Sequence, residues 1–139
     1  MILLDTNVLS EVVKPRPDAQ VLRWLSAQEP LSIFTTAITQ AEVLFGIEDM
    51  PNGKRKLALA AAMERMFAEE FRDRILAFDE DAAPWFARFV ASRKSAGHEM
   101  SQMDGMIAAV ARRHKATLAT RNLKDFQDCG LRLIDPWTT

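Results

Sequence analysis

Short, mostly apolar runs alternate along this chain with longer stretches whose apolar residues recur every three or four positions. The short runs are Ile2–Leu4, Leu31–Phe34, Ile75–Phe78, Thr117–Thr120 and Leu131–Ile134. Each predicts a strand, and a strand without polar alternation is covered on both faces. Between them the spacing predicts helices. The first runs from about Asn7 to Lys14 and is stopped by Pro15 and Pro17. The second covers Asp18–Gln28, with Val21, Leu22, Trp24 and Leu25 on its inner side. A third spans Ala37 to about Asp49 and closes at the turn signal MPNGK. Lys54–Phe71 reads as one long amphipathic helix, with Leu57, Leu59, Met63, Met66 and Phe67 among its apolar positions. Asp79–Ala96 directs Trp85, Phe86, Phe89 and Val90 inward, and Gly97 is placed as its C-cap. Ser101–His114 is the last helix. Strands alternating with helices predict an α/β fold with a parallel sheet flanked by helices. No linker or repeat divides the 139 residues, so one domain, 1–139, is expected.

Composition narrows the class. Apolar residues make up 48% and charged residues 27%, as in a globular protein. The net charge of -1 gives no overall sign of nucleic-acid binding. Its distribution is uneven: residues 1–83 carry 9 basic and 14 acidic side chains, and residues 84–139 carry 9 and 5. An acidic front and a basic tail can pair a metal site with a polyanion groove. Cys129 is the single cysteine, which excludes an intramolecular disulfide and suits a reducing cytosol. A strand beginning at Ile2 leaves no room for a signal peptide, and no apolar run approaches the roughly 20 residues that span a bilayer. A cytoplasmic protein without a membrane segment is expected.

The chemistry is carried by carboxylates in unusual places. The first strand ends on Asp5, and ligands of open parallel sheets bind beyond the carboxyl ends of strands. The alternative is that Asp5 merely caps the helix that follows. Glu42, in TAITQAEVLFG, shares a helical stripe with Ile38, Ala41 and Phe45, expected to face inward. Asp104, in SQMDGMIAAVARR, shares one with Met103, Ile107, Ala108 and Ala111. A carboxylate on a core-facing stripe is costly unless a cation compensates it. Thr39–Glu42 and Ser101–Asp104 also match the capping-box pattern, a purely local alternative. In an alternating fold all three acids converge on one edge of the sheet. Three such carboxylates repel one another unless a cation intervenes, and their hard oxygens suit Mg²⁺ or Mn²⁺. That is a site for metal-assisted hydrolysis of a phosphodiester.

LATRNLKDF supplies further candidates at the same edge. Asn122 offers a carbonyl oxygen without charge, and Asp125 reaches the site if residues 122–126 form a helical turn; turn chemistry and capping are the alternative for both. Thr6 is a candidate through its hydroxyl. Arg112, Arg113, Lys115, Arg121 and Lys124 are candidates to steer a phosphate backbone. His98 and His114 lack ligand spacing and read as loop and helix-end residues, and Cys129 reads as structural.

ILLDTNVLSE, AITQAEVLFGI, QMDGMIAAVA and LATRNLKDF, in that order, resemble a PIN-domain ribonuclease. With the closing DPW and the chain length, they are similar to the VapC-type toxins of toxin–antitoxin pairs, in particular the FitB-like branch. The resemblance implies a three-layer α/β/α sandwich with a central parallel sheet. It implies that Asp5, Glu42 and Asp104 bind Mg²⁺ or Mn²⁺. It implies endonucleolytic cleavage of RNA, a homodimer, and inhibition by an antitoxin with a ribbon-helix-helix DNA-binding domain; in-line attack on the phosphodiester would leave a 5′-phosphate and a 3′-hydroxyl. The chain departs from the branch at Asn122, where Asp is frequent, and Asp125 stands nearby.

Three other readings compete. A receiver-type phosphoacceptor shares the sheet and an acidic pocket, but it wants paired acids where Asp5 is followed by Thr6 and Asn7. A haloacid-dehalogenase-type phosphatase wants a second Asp at Asn7. A catalytically silent PIN domain that only binds an antitoxin is opposed by Asp5, Glu42 and Asp104.

Overall fold

The computed structural model describes all residues, Met1–Thr139. Five strands form one parallel sheet: β1 (Ile2–Leu4), β2 (Ile33–Thr36), β3 (Ile75–Leu76), β4 (Thr117–Ala119) and β5 (Arg132–Ile134). Their order is β3-β2-β1-β4-β5. Ile2 of β1 stands opposite Ile33 on one side and Thr117 on the other. The chain therefore builds outward from β1 to β3, then crosses back and builds the other way. The reversal falls between β1 and β4, the place where open α/β sheets leave a crevice beyond the strand ends.

Successive strand residues face opposite sides, so β1 feeds two cores. Leu3 packs with Leu118, Phe126 and the helices α5 (Ala83–Ser95) and α6 (Gln102–Arg113). Leu4 packs with Ala119 and residues of four helices: α1 (Thr6–Val12), α2 (Ala19–Ser26), α3 (Ala37–Glu48) and α4 (Lys54–Arg65). The result is the three-layer α/β/α sandwich. Both sheet faces are covered, which is why β1 lacks polar alternation.

Several elements differ from their sequence reading. β2 begins two residues later than Leu31, because Pro30–Ser32 forms a 3₁₀ turn, and Leu31 is 79% exposed. The strand instead takes in Thr35 and Thr36, both fully buried. Thr35 is accommodated because its hydroxyl donates to the Leu4 carbonyl. The long helix expected over Lys54–Phe71 is α-helical only to Arg65 and continues as a π turn over Met66–Glu70. This widening lets both Phe67 and Phe71 reach the core, their ring centroids 6.3 Å apart. Leu57 faces outward, as does Leu22 of α2. The third strand is reduced to Ile75–Leu76. The following helix starts at Ala83, after a turn in which an Asp79 carboxylate oxygen accepts from the Ala82 amide.

Candidate active site

The end of β1 passes directly into α1 with no loop. Asp5 is the N-cap of that helix and is 4% exposed. One carboxylate oxygen, Oδ1, accepts from the Thr6 amide at 2.8 Å, so the capping alternative is half true. The other, Oδ2, accepts from the Thr120 hydroxyl at 2.8 Å and from Asn7 Nδ2 at 3.4 Å. Thr120 follows β4, across the crevice. Asn7 stitches the crevice shut from the α1 side: Nδ2 donates to Thr120 Oγ1 at 3.3 Å, and Oδ1 accepts from the Arg121 amide at 3.3 Å. The Asn122 amide also donates to Thr120 Oγ1, at 3.1 Å.

β2 passes into α3 in the same abrupt way. Its N-cap is Thr36, whose hydroxyl accepts from the Thr39 amide. The Thr39–Glu42 capping box is therefore not formed. Glu42 instead accepts from the Thr6 hydroxyl at 2.8 Å, and that hydroxyl lies 3.1 Å from the Thr39 hydroxyl. The expected stripe on α3 is also displaced. Thr39 and Ile47 are buried, whereas Ala41 is exposed and Phe45 is 69% exposed. Glu42 sits half-buried at the border of the inward face, tied to α1.

Asp104 lies in the first turn of α6. Ser101 caps this helix by accepting from the Asp104 amide at 3.1 Å, so one half of that capping box exists. Its stripe is as read for Ile107, Ala108 and Ala111, all fully buried, but Met103 is 42% exposed. Residues Leu123–Phe126 do form a 3₁₀ turn, and Asp125 rides on it. Asn122 precedes that turn and is exposed, with its carbonyl accepting from the Asp125 amide at 3.1 Å.

The electrostatics show which of these groups feel one another. Burial pushes the Asp5 carboxyl up from 3.8 to about 6, against the Thr120 and Thr6 hydrogen bonds, and the charges of Asp104 and Glu42 add to the rise. Burial also raises Asp104, with Asp125 and Glu42 adding repulsion while Ser101 and Arg93 ease it. Asp5, Glu42, Asp104 and Asp125 thus form one repelling group. None of them is in a salt bridge; those of the structure are Lys14–Glu11 and Arg113 with Asp79 and Asp81. A cluster of hard oxygens with no cation paired to it fits a divalent metal. No three Asp, Glu, His or Cys side chains stand close enough to hold an ion together. Ligation by Asp5, Glu42 and Asp104 at once therefore needs bridging waters or side-chain movement. Mg²⁺ tolerates this, since it keeps several waters and takes one or two carboxylates directly.

The basic candidates separate into two places. Arg121 and Lys124 follow β4 and belong to the site edge. Arg112, Arg113 and Lys115 do not. They end α6 and lead into the start of β4, about a dozen ångströms along the helix from Asp104 at 1.5 Å per residue. Arg112 is held over the Trp85 ring at 4.5 Å, and Arg113 pairs with Asp79 and Asp81. The basic tail is thus split between opposite edges of the sheet. Asn7, Thr39 and Thr120 went unread as site residues. The available signal was a hydroxyl or amide residue within three positions of each strand end.

The chain matches the family model of the PIN domain over residues 2–130. It is 41% identical over 137 residues to the VapC ribonuclease Y4jK of Sinorhizobium fredii, covering 99% of this chain and 98% of that one. It is 39% identical over 137 residues to toxin FitB of Neisseria gonorrhoeae, covering 99% of each. Among solved structures, it is similar to FitAB bound to the IR36 DNA fragment. The TM-score is 0.92 at 39% identity, covering 99% of this chain and 96% of that chain.

Proposed function

The chain belongs to the PIN-domain family, and on that footing we propose that it is a metal-dependent endoribonuclease, the toxin of a type II toxin–antitoxin pair. The observation that carries this reading is the repelling group of Asp5, Glu42, Asp104 and Asp125 at the β1–β4 crevice, with no cation paired to it. The relatives named as a ribonuclease and a toxin support it along nearly the full chain.

Asp5 and Asp104 are the residues that would hold Mg²⁺ or Mn²⁺, with Glu42 and Asp125 beside them. A bound divalent ion supplies an acidified water and neutralises charge on the scissile phosphate. The protein's own part is placement. Thr120 and the Thr6 amide fix the Asp5 carboxylate, and Thr6 fixes Glu42, whose free oxygen orients the attacking water. Asn122 would hold a second water through its side-chain oxygen. Arg121 and Lys124 hold the RNA backbone across the crevice.

The partner we assign is a cognate antitoxin with a ribbon-helix-helix DNA-binding domain, the solved FitAB complex with DNA being the supporting relative. An apolar groove of about 500 Å³ opens beside the acids. It is lined in part by Val13, Val43, Ile47, Leu59 and Met63, and it reaches Thr6 and Glu42. A segment lying there blocks the site. A homodimer is the toxin's own assembly. No helix of the chain is long and apolar enough to cross a membrane, and we place the protein in the cytoplasm, with its RNA.

The test is RNA cleavage by the purified protein with Mg²⁺ or Mn²⁺, with EDTA, and by a folded Asp104→Asn variant. Cleavage that needs the metal and vanishes in the variant is expected. Antitoxin binding without any cleavage of cellular RNA, at any metal concentration, overturns the enzyme in favour of a silent binding partner.

A further inference from the structure

Arg93 is a charged residue on α5 that no part of this reaction uses, yet it is only 8% exposed. Its guanidinium makes three hydrogen bonds to main-chain carbonyls and also lies beside the buried Cys129 thiol. Nε donates to the His98 carbonyl at 2.8 Å, just past the end of its own helix. One terminal nitrogen donates to the carbonyls of Asp125 and Gln127, both at 3.0 Å. These two carbonyls flank Phe126, which is 1% exposed and lies in the same core as Ala108 and Leu118. The 3₁₀ turn over Leu123–Phe126 is therefore pinned twice from beneath, by the Phe126 ring and by the Arg93 fork. Its upper side carries Asp125, whose charge reaches Asp104. Burying a guanidinium is costly, and an Arg with no carboxylate partner is an expensive way to satisfy three carbonyls. The position gains something an apolar residue cannot supply: a fixed turn, and a positive charge behind a group of acids.

We propose that Arg93 is a positioning residue of this site, clamping the turn that carries Asp125 so that its carboxylate is held toward Asp104. The proposal rests on the metal-dependent reading of the site above. Arg93 touches neither substrate nor metal, and acts through the backbone of residues 125 and 127.

The fork geometry makes the proposal testable. Lys keeps the charge, but its single nitrogen cannot span the Nε and terminal-nitrogen positions. Met keeps the length and loses both. With the clamp gone, Asp125 moves by an ångström or so, and such a misplacement costs about 100-fold in rate. The experiment measures kcat and KM for RNA in Arg93→Met, Arg93→Lys, Asp125→Asn and the double variant Arg93→Met with Asp125→Asn. Beside these, amide hydrogen exchange is followed at residues 122–127, and Mn²⁺ affinity by calorimetry. Expected are a fall in kcat with KM for RNA unchanged, partial recovery in Arg93→Lys, and a double variant no worse than the worse single one. Exchange should quicken at residues 122–127 while the amides of Ile107–Ala111 stay protected. Mn²⁺ affinity in Arg93→Met should match that of Asp125→Asn. Losses that multiply in the double variant overturn the proposal. So does a folded Arg93→Lys or Arg93→Met protein with exchange unchanged at residues 122–127. A wild-type protein that neither cleaves RNA nor binds Mn²⁺ overturns the reading of the site instead. The exchange comparison still decides the clamp.

Discussion

Thr120 Oγ1 donates to Asp5 Oδ2 at 2.8 Å, a bond between residues 115 positions apart that closes the crevice where the sheet reverses direction. The same hydroxyl oxygen accepts from the Asn7 side chain and the Asn122 amide. One buried threonine therefore sets the aim of the first acid and the path of the chain that leads to Asp125.

Thr120→Val keeps the shape and removes the hydroxyl. It leaves Asp5 without its buried donor and the Asn122 amide without an acceptor. A hydrogen bond to a charged group contributes about 2 kcal/mol, so stability falls by roughly that amount. The Asp5 carboxyl rises further above about 6, since one of the two bonds holding it down is gone. At limiting metal, where the proton competes with the ion for this carboxylate, cleavage should weaken most at neutral pH and recover partly toward pH 8. Thr120→Ser, which keeps the hydroxyl, should restore both. Chemical denaturation and a pH–rate profile of the three proteins check this.

Asp5 carries a stability penalty in the metal-free protein. Its carboxyl titrates near 6 when folded against 3.8 ordinarily. Between those values the unfolded chain has released a proton that the folded chain retains, so stability falls as pH rises. The loss is complete above about 6 and corresponds to roughly 3 kcal/mol. Asp5→Asn removes the ionisation and keeps a good N-cap. Without metal, the variant should melt several degrees above wild type at pH 7.5, the gap closing toward pH 4, while RNA cleavage is lost. Calorimetric melting of both proteins across that range in EDTA decides it. Equal melting temperatures at pH 7.5 contradict the penalty.

The architecture was legible because strands buried on both faces cannot alternate, and runs such as Ile2–Leu4 announced this. Asp5 stood out for the same reason: a carboxylate at the end of such a run has little solvent to turn to. What sequence did not give was orientation. Glu42 was placed by a helical wheel that put Phe45 inside, yet α3 begins at Ala37 in direct continuation of β2, and this rotates Thr39 and Ile47 onto the sheet instead. Arg112 and Arg113 stand near Arg121 in sequence, but β4 carries the chain from one sheet edge to the other between them. Arg93 left no signal at all, because its partners are backbone carbonyls.

Gly105 stands next to Asp104 where α5 and α6 pack. A Cβ there would lie 2.7 Å from Val90 Cγ2 and 3.1 Å from the Phe86 ring. Ala in place of Gly gains about 1 kcal/mol of helix propensity, but overpacking of this kind costs about 1–3 kcal/mol. Gly105→Ala should be net destabilised by about 1 kcal/mol, and pushing α6 outward should carry Asp104 with it and slow cleavage more than stability alone predicts. Val90→Ala added to Gly105→Ala opens the space again. Recovery of kcat in that double variant is the check, and kcat left low despite restored stability counts against the displacement.

The two basic groups make opposite predictions for RNA binding. Arg121 is held over the Trp137 ring at 4.9 Å, and its own amide is bonded to Asn7, so its guanidinium is carried at the site edge at a small entropic cost. Lys124 stands on the turn that bears Asp125. Arg112 is committed to Trp85 at the far edge, near Lys115. Each phosphate contact on a single strand contributes about 0.7 to the slope of log affinity against log salt. Arg121→Gln and Lys124→Gln should each lower that slope by about this much and raise KM, with kcat little changed. Arg112→Gln and Lys115→Gln should leave the slope and KM as they are. Trp137→Leu should reproduce a weaker form of Arg121→Gln, because the guanidinium loses its platform but keeps its charge. Fluorescence titration of an RNA oligonucleotide against a catalytically inactive Asp104→Asn background, from low to high salt, measures the slopes directly. A slope that falls with Arg112→Gln and not with Arg121→Gln would move the RNA path to the opposite end of the sheet.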